Sequence, residues 1–198
     1  MTGVPDSLTD TTVLETLRRA VPGATIEAAG AVDMTTLYVD REHIVEALRV
    51  LRDDPALQFA LLVDVIGVDT LPAEPRYEIV YLLACLGEAY GRAPARRLRL
   101  KVRLPAKDPR IATATSLYPC AGWPEREIYD LFGVVFEGHP DLRRILTPDD
   151  WTGHPLRKDY PVQVRKDSQA WSPLQLTPEE FAANVRAAQQ KADKAAGR

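Results

Sequence analysis

Acid, base and imidazole groups crowd into one part of the chain: Glu125, Arg126, Glu127 and Asp130, then His139, Asp141, His154 and Asp159. Carboxylates within reach of an imidazole could do general acid–base chemistry, and two histidines with carboxylates could hold a divalent metal. Glu127 and Asp130 are i, i+3 and share a helix face, while Arg126 and Asp130 are i, i+4 and can pair. Both histidines, however, sit in Gly-His-Pro triplets, where imidazole more readily hydrogen-bonds the backbone of a constrained turn than it ligates a metal. No HExxH, nucleophile elbow or cysteine–histidine pair is present. Cys85 and Cys120 belong to no CxxC pair, which predicts two reduced thiols in or near the core. The expectation is a protein with no catalytic, cofactor-binding or metal site of its own.

A second basic feature, Arg143, Arg144, Arg157 and Lys158, is interleaved with Trp151 and Tyr160. Such a mixture could hold phosphate or RNA. Five acids between Glu137 and Asp159 weigh against that reading, and interface arginines paired with partner carboxylates fit better.

The elements that must position these groups follow from periodicity. A first helix is expected from about Thr9 or Asp10 to Ala20, ended by Pro22-Gly23, and two short strands between Thr25 and Val39 around a turn near Gly30. Asp40 can cap a second helix, in which Ile44, Val45, Leu48 and Leu51 recur at helical spacing. Three strands are expected next: Phe59 to Val68, with Gly67 as the site of a bulge or bend, then Arg76 to Leu83, then Arg97 to Leu104. In the last, Leu98, Leu100, Val102 and Leu104 alternate with Arg97, Arg99, Lys101 and Arg103, so the basic face must meet water, acidic groups or a partner. Helices are expected over 111–133, the second starting near Pro124, with Ile128, Leu131 and Phe132 on one stripe and Gly133 closing it. The order predicts an α+β fold, a two-layer domain over 1–133 with a mixed sheet covered by helices.

Residues 134–176 change character. Seven glycines and prolines between Gly138 and Pro173 break any period, yet Phe136, Leu142, Ile145, Leu146, Trp151, Leu156, Tyr160 and Trp171 are too many large apolar groups for a disordered linker. Burying four of them would release about 6–12 kcal/mol before entropy is charged. An extended partner-docking arm is expected, with packing back over its own domain as the competing reading. A C-terminal helix and tail are expected over 177–198, the helix running from Thr177 to about Lys194 with Pro178 and Glu180 in its first turn.

The 198 residues are 45% hydrophobic and 27% charged with a net charge of -3, the balance of an ordinary globular protein with no general attraction to nucleic acid. The most apolar stretch, Phe59 to Val68, is far shorter than the ~20 residues of a membrane span. Residues 1–6 carry neither a basic n-region nor an apolar h-region, so no signal peptide is expected, and any membrane contact is expected through a partner.

The stretch Glu125-Arg126-Glu127-Ile128-Tyr129-Asp130-Leu131-Phe132-Gly133 resembles the signature of the 30 kDa subunits of respiratory complex I, the proton-pumping NADH:quinone oxidoreductase. So do Phe136-Glu137-Gly138-His139-Pro140-Asp141-Leu142-Arg143-Arg144-Ile145-Leu146-Thr147-Pro148 and Gly153-His154-Pro155-Leu156-Arg157-Lys158-Asp159-Tyr160-Pro161. The resemblance implies a non-catalytic scaffold in the peripheral arm, on the cytoplasmic side of the bacterial inner membrane. It implies docking on the large quinone-site subunit and on iron–sulfur subunits, with FMN, iron–sulfur clusters and quinone held by those partners. Glu125, Arg126, Glu127, Asp130, Phe136, His139, Arg143, Arg144, Trp151, His154, Arg157, Lys158, Asp159 and Tyr160 are then expected as interface and structural groups. The alternative is the homologous subunit of an energy-converting hydrogenase, a formate hydrogenlyase or a ferredoxin-fed relative.

Overall fold

The structure, a computed structural model, describes residues 10–30, 33–87 and 93–161 and the isolated positions 177, 179, 182 and 183. The described residues from Asp10 to Pro161 belong to one compact unit. Trp171 and nearly all of the expected C-terminal helix lie outside the described residues.

Helix α1 spans Thr11–Ala20, and the Asp10 carboxylate caps it by accepting from the N–H groups of Thr12 and Val13. Strands β1 (Ile26–Ala29) and β2 (Thr35–Val39) form an antiparallel pair. A 3-10 turn, Arg41–His43, leads into α2 (Ile44–Asp53), whose Ile44, Ala47, Leu48 and Leu51 are buried. Asp40 does not cap it. His43 Nδ1 takes the Asp40 carboxylate at 2.8 Å, so that oxygen is turned away from the helix N–H groups.

Strands β3 (Leu61–Asp69), β4 (Tyr77–Cys85) and β5 (Arg96–Leu104) complete a five-stranded mixed sheet in the order β1-β2-β5-β4-β3. Strand β5 pairs parallel with β2 and antiparallel with β4. Register places Leu98, Leu100, Val102 and Leu104 opposite Leu83, Tyr81, Ile79 and Tyr77, and this column shares one core with the apolar stripes of α1 and α2. The alternate residues of β5 lie on the other face, where the protein supplies the counter-charges. Arg99 reaches Asp33 at 2.9 Å and Lys101 reaches Glu78 at 3.0 Å, while Arg103 stacks on Tyr38 at 3.8 Å and lies 3.5 Å from Glu78. The basic ladder is thereby partly neutralised from within, two carboxylates serving three of its four bases.

The β3 irregularity falls between Leu62 and Asp64, not at Gly67. Gly67 serves a different purpose, because a Cβ there would stand 3.0 Å from Ile128 Cγ2 and 3.1 Å from Phe132 Cδ2. Its missing side chain lets the α3 helix (Gly122–Phe132) lie directly on β3. Gly67→Ala is expected to push α3 off the strand and cost about 1–3 kcal/mol, read as a lowered denaturant midpoint at unchanged m-value.

Between β5 and α3 the expected first helix is absent. Arg110–Ala112 is strand β6, which pairs parallel with β7 (Val135–Glu137), and a 3-10 turn at Pro119–Ala121 leads into α3. α3 begins at Gly122, two residues before Pro124, and Gly133 ends it at φ 74°, donating its N–H to Tyr129 O.

Candidate functional site

The chemistry-bearing residues of the sequence converge on α3 and on the segment after β7, and nearly all of them hold that segment to its own domain. Asp130 is the centre. Wholly buried in the last turns of α3, its carboxylate accepts from three successive backbone N–H groups, Ile145 at 3.0 Å and Leu146 and Thr147 at 2.8 Å each. The Thr147 hydroxyl and Arg144 Nη1, the latter at 2.8 Å, complete its shell. Burial pushes this carboxyl up, but the Thr147 hydroxyl and the three N–H groups outweigh burial and hold it well below the usual carboxylate range. Arg126 does not pair with Asp130 as the i, i+4 spacing predicted. It donates instead to the carbonyls of Arg143 and Arg144, at 3.1 and 3.2 Å, and lies 5.1 Å from the Trp123 ring centre.

The two histidines serve α3 as well. His139 Nε2 donates to Gly122 O at 3.1 Å and its Nδ1 accepts from Asp141 N at 3.0 Å, while His154 Nδ1 donates to Asp130 O at 2.8 Å. Burial pushes the His154 imidazole below its ordinary value. Arg157 Nε donates to Phe132 O at 2.6 Å. Gly133 makes room for both, because a Cβ there would sit 2.5 Å from His154 Nε2. Backbone contact, as the Gly-His-Pro triplets led us to expect, is what these rings make. Among the described residues no cluster of three or more His, Cys, Asp or Glu could hold a metal ion.

A second latch lies at the far end of β3. Asp69 and Arg76, both nearly buried, form a two-pronged pair at 3.0 and 2.8 Å across the β3–β4 turn. Arg76 then reaches Asp159 at 2.9 and 2.7 Å, and Asp69 also accepts from Lys158 N at 2.8 Å. The Arg76 guanidinium holds the Asp69 carboxyl well below the usual range, with help from the N–H groups of Lys158 and Leu71. Sequence reasoning passed over Asp69 and Arg76. The available signal was a carboxylate closing a mostly apolar strand, followed by an arginine just after Pro75.

Of the expected interface residues, Glu125, Asp130 and Phe136 are wholly covered by their own domain. Arg126, His139, Arg144, Trp151, His154, Arg157 and Tyr160 are half-buried, and Glu127, Arg143, Lys158 and Asp159 are exposed. Tyr160 packs on Gly153, and its hydroxyl donates to Thr152 O at 3.2 Å. Three large apolar side chains of α3 and of the segment after β7 remain exposed: Trp123 at 65%, Leu146 at 60% and Leu156 at 53%. Cys85 is buried and Cys120 exposed, and both are free thiols.

Fold and site together define a two-layer α+β protein that clasps its own proline-rich segment through buried carboxylates. The chain belongs to the family of the 30 kDa subunit of respiratory-chain NADH dehydrogenase, whose family model matches residues 37–166. It is 45% identical to the C subunit of NADH-quinone oxidoreductase from Roseiflexus sp. (strain RS-1) over 156 residues, 79% of this chain and 86% of that protein. Its match to the protein of the same name from Saccharopolyspora erythraea is 46% over 160 residues, 79% of this chain but 61% of that longer protein. Among solved structures, a trypsin-resistant fragment (1-134) of Nqo5 is 38% identical, with a TM-score of 0.52, covering 67% of this chain and 98% of the fragment. A polypeptide of an archaeal membrane-bound sulfane sulfur reductase, a respiratory membrane complex, shares the fold at a TM-score of 0.63 and 24% identity, over 85% of this chain and 96% of that one. No helix among the described residues is long and apolar enough to cross a membrane.

Proposed function

We propose that this protein is a non-catalytic scaffold of the peripheral arm of a proton-translocating NADH:quinone oxidoreductase. It docks on the quinone-site and iron–sulfur subunits, on the cytoplasmic side of the membrane, while FMN, clusters and quinone stay with those partners. The observation that carries the reading is a division of labour within the signature residues. Arg126, Asp130, His139, Arg144, His154 and Arg157 bond within the domain and fix the course of 139–159, whereas Leu146 and Leu156, with Trp123 just ahead of the signature, are left exposed. Large apolar side chains mounted on a rigid, internally bonded frame are what a protein–protein interface needs at its centre. Rigidity matters because a pocket formed by a neighbouring subunit tolerates only small displacements of its supports.

The test is a tagged pull-down of this protein from mildly solubilised native membranes, with every co-eluting protein identified. Recovery of flavin- and cluster-bearing NADH-oxidising subunits supports the reading. Recovery of a nickel–iron or ferredoxin-linked module moves the role to a sister complex, and a protein that elutes alone sinks it. Leu146→Asp with Leu156→Asp is expected to weaken retention at least tenfold, since a buried apolar anchor is commonly worth about 2 kcal/mol or more, while leaving the isolated protein's melting temperature nearly unchanged.

A further inference from the structure

Glu125 takes no part in the two latches, yet it is wholly buried in the first turn of α3. Its carboxylate accepts from Thr113 Oγ1 at 2.5 Å and from Ala114 N at 2.8 Å, and among the described residues no cation bonds to it. Two neutral donors compensate a buried negative charge poorly. Close enough to feel that charge is Tyr81 of β4, wholly buried, whose hydroxyl has no hydrogen-bond partner among the described residues. One buried site therefore holds a carboxyl without a cation and a phenol without a bond, among the described residues.

We propose that Glu125 is a proton-operated switch in the seat of α3: protonated it fits its buried site, and ionised it draws solvent in beside it and loosens the seating of α3 on the sheet. Because α3 carries Asp130 and the carbonyls that receive His154 and Arg157, that loosening passes to the segment 139–157. The inference rests on the protein's own interior and stands whether or not the scaffold reading does. Burial pushes the Glu125 carboxyl up to about 7, against the opposing pull of the Thr113 hydroxyl and the Ala114 N–H. The folded protein therefore binds this proton more tightly than the unfolded one. The stability it lends is complete below the ordinary glutamate value of 4.5 and is lost as pH rises to about 7.

Among the described residues, the groups facing Glu125 are few. β4 supplies Tyr81, the 113–115 loop supplies the Thr113 hydroxyl with the Thr115 hydroxyl behind it, and Arg126 on α3 is committed to the carbonyls of Arg143 and Arg144. His154 titrates with the opposite sign. Its pKa is lowered, so its contribution is lost as pH falls, and a comparison with Glu125→Gln separates the two.

The experiment measures denaturant unfolding of the full-length protein from about pH 5 to about pH 8.5, for wild type and Glu125→Gln. Over that range the wild-type unfolding constant is expected to rise on the order of a hundredfold more than the variant's. Parallel pH profiles overturn the proposal. Tryptic cleavage after Arg143 and Arg144, measured as the ratio of variant to wild-type rates at each pH, reads the transmission to the arm. A ratio that falls with rising pH is expected, and a constant ratio overturns that link. Should Glu125→Gln fail to fold, carbon-13 NMR of the wild type decides: one glutamate carboxyl titrating near neutrality supports the switch, and none titrating above about pH 5.5 overturns it.

Discussion

Asp130→Asn is expected to remove about 3–5 kcal/mol of stability and to free residues 143–157 before the sheet unfolds. The carboxylate can accept from every one of its partners at once, because it offers two oxygens and no hydrogen. Asparagine is nearly the same shape, but its NH2 would face N–H groups or the Thr147 hydroxyl, leaving donors opposed to donors in a buried site. Arg144 would also keep its charge without the buried partner 2.8 Å away. Such a loss lowers the melting temperature by about 6–20 °C for a protein of this size. Trypsin should cut after Arg143 and Arg144 at least tenfold faster than in the wild type under native conditions, while the far-ultraviolet spectrum stays the same. Unchanged cleavage would mean that 143–157 is held by something other than this carboxylate.

Arg76→Met is the second change expected to matter greatly. It leaves Asp69, 2% exposed at its side chain, without its two-pronged partner, and it disconnects Asp159. Most of the cost, again about 3–5 kcal/mol, comes from the unpaired Asp69, because Asp159 is 54% exposed and its bridge is screened by water. Replacing both Asp69 and Arg76 by apolar residues of similar volume should therefore recover much of the stability, but not the attachment of Lys158 and Asp159. Denaturation midpoints together with hydrogen exchange at Lys158 separate the two effects. The pH dependence has a definite sign. Asp69 and Asp130 are both depressed, so their contributions are present above the ordinary aspartate value of 3.8 and are lost as pH falls through their folded values. Acid should release the latches by protonating these two carboxylates.

How legible all this is in the sequence depends on the range of the interaction. Asp10 caps α1 as written, and the alternation over Leu98 to Leu104 states its own register, because both rest on neighbours a few residues away. Asp40 shows the limit of that logic, since one competitor three residues on, His43, captured the expected cap. Strand β6 has three residues, too few to display a period, and it exists only because β7 lies beside it. The proline-rich segment declared by composition that it needed burial, but composition does not name the surface. Asp69 lies 89 positions from Lys158, and no local pattern joins them.

The place of β5 in the sheet has a consequence for the order in which the molecule assembles itself. β1 with β2 and β3 with β4 are pairs of strands adjacent in sequence, so each can close soon after its second strand is made. They belong to one sheet only through β5, which lies between them and joins Thr35 to Leu98. Contacts of that separation form late, because a long loop must be ordered first. During synthesis from the N-terminus two half-sheets would wait with their inner edges open until Leu104 has emerged. The latch at Asp69 must wait longer still, for Lys158 and Asp159. Ile66 and Val68 on the edge strand stay exposed even in the finished sheet, so that waiting half-sheet is where a chaperone or an early assembly partner has the most to protect.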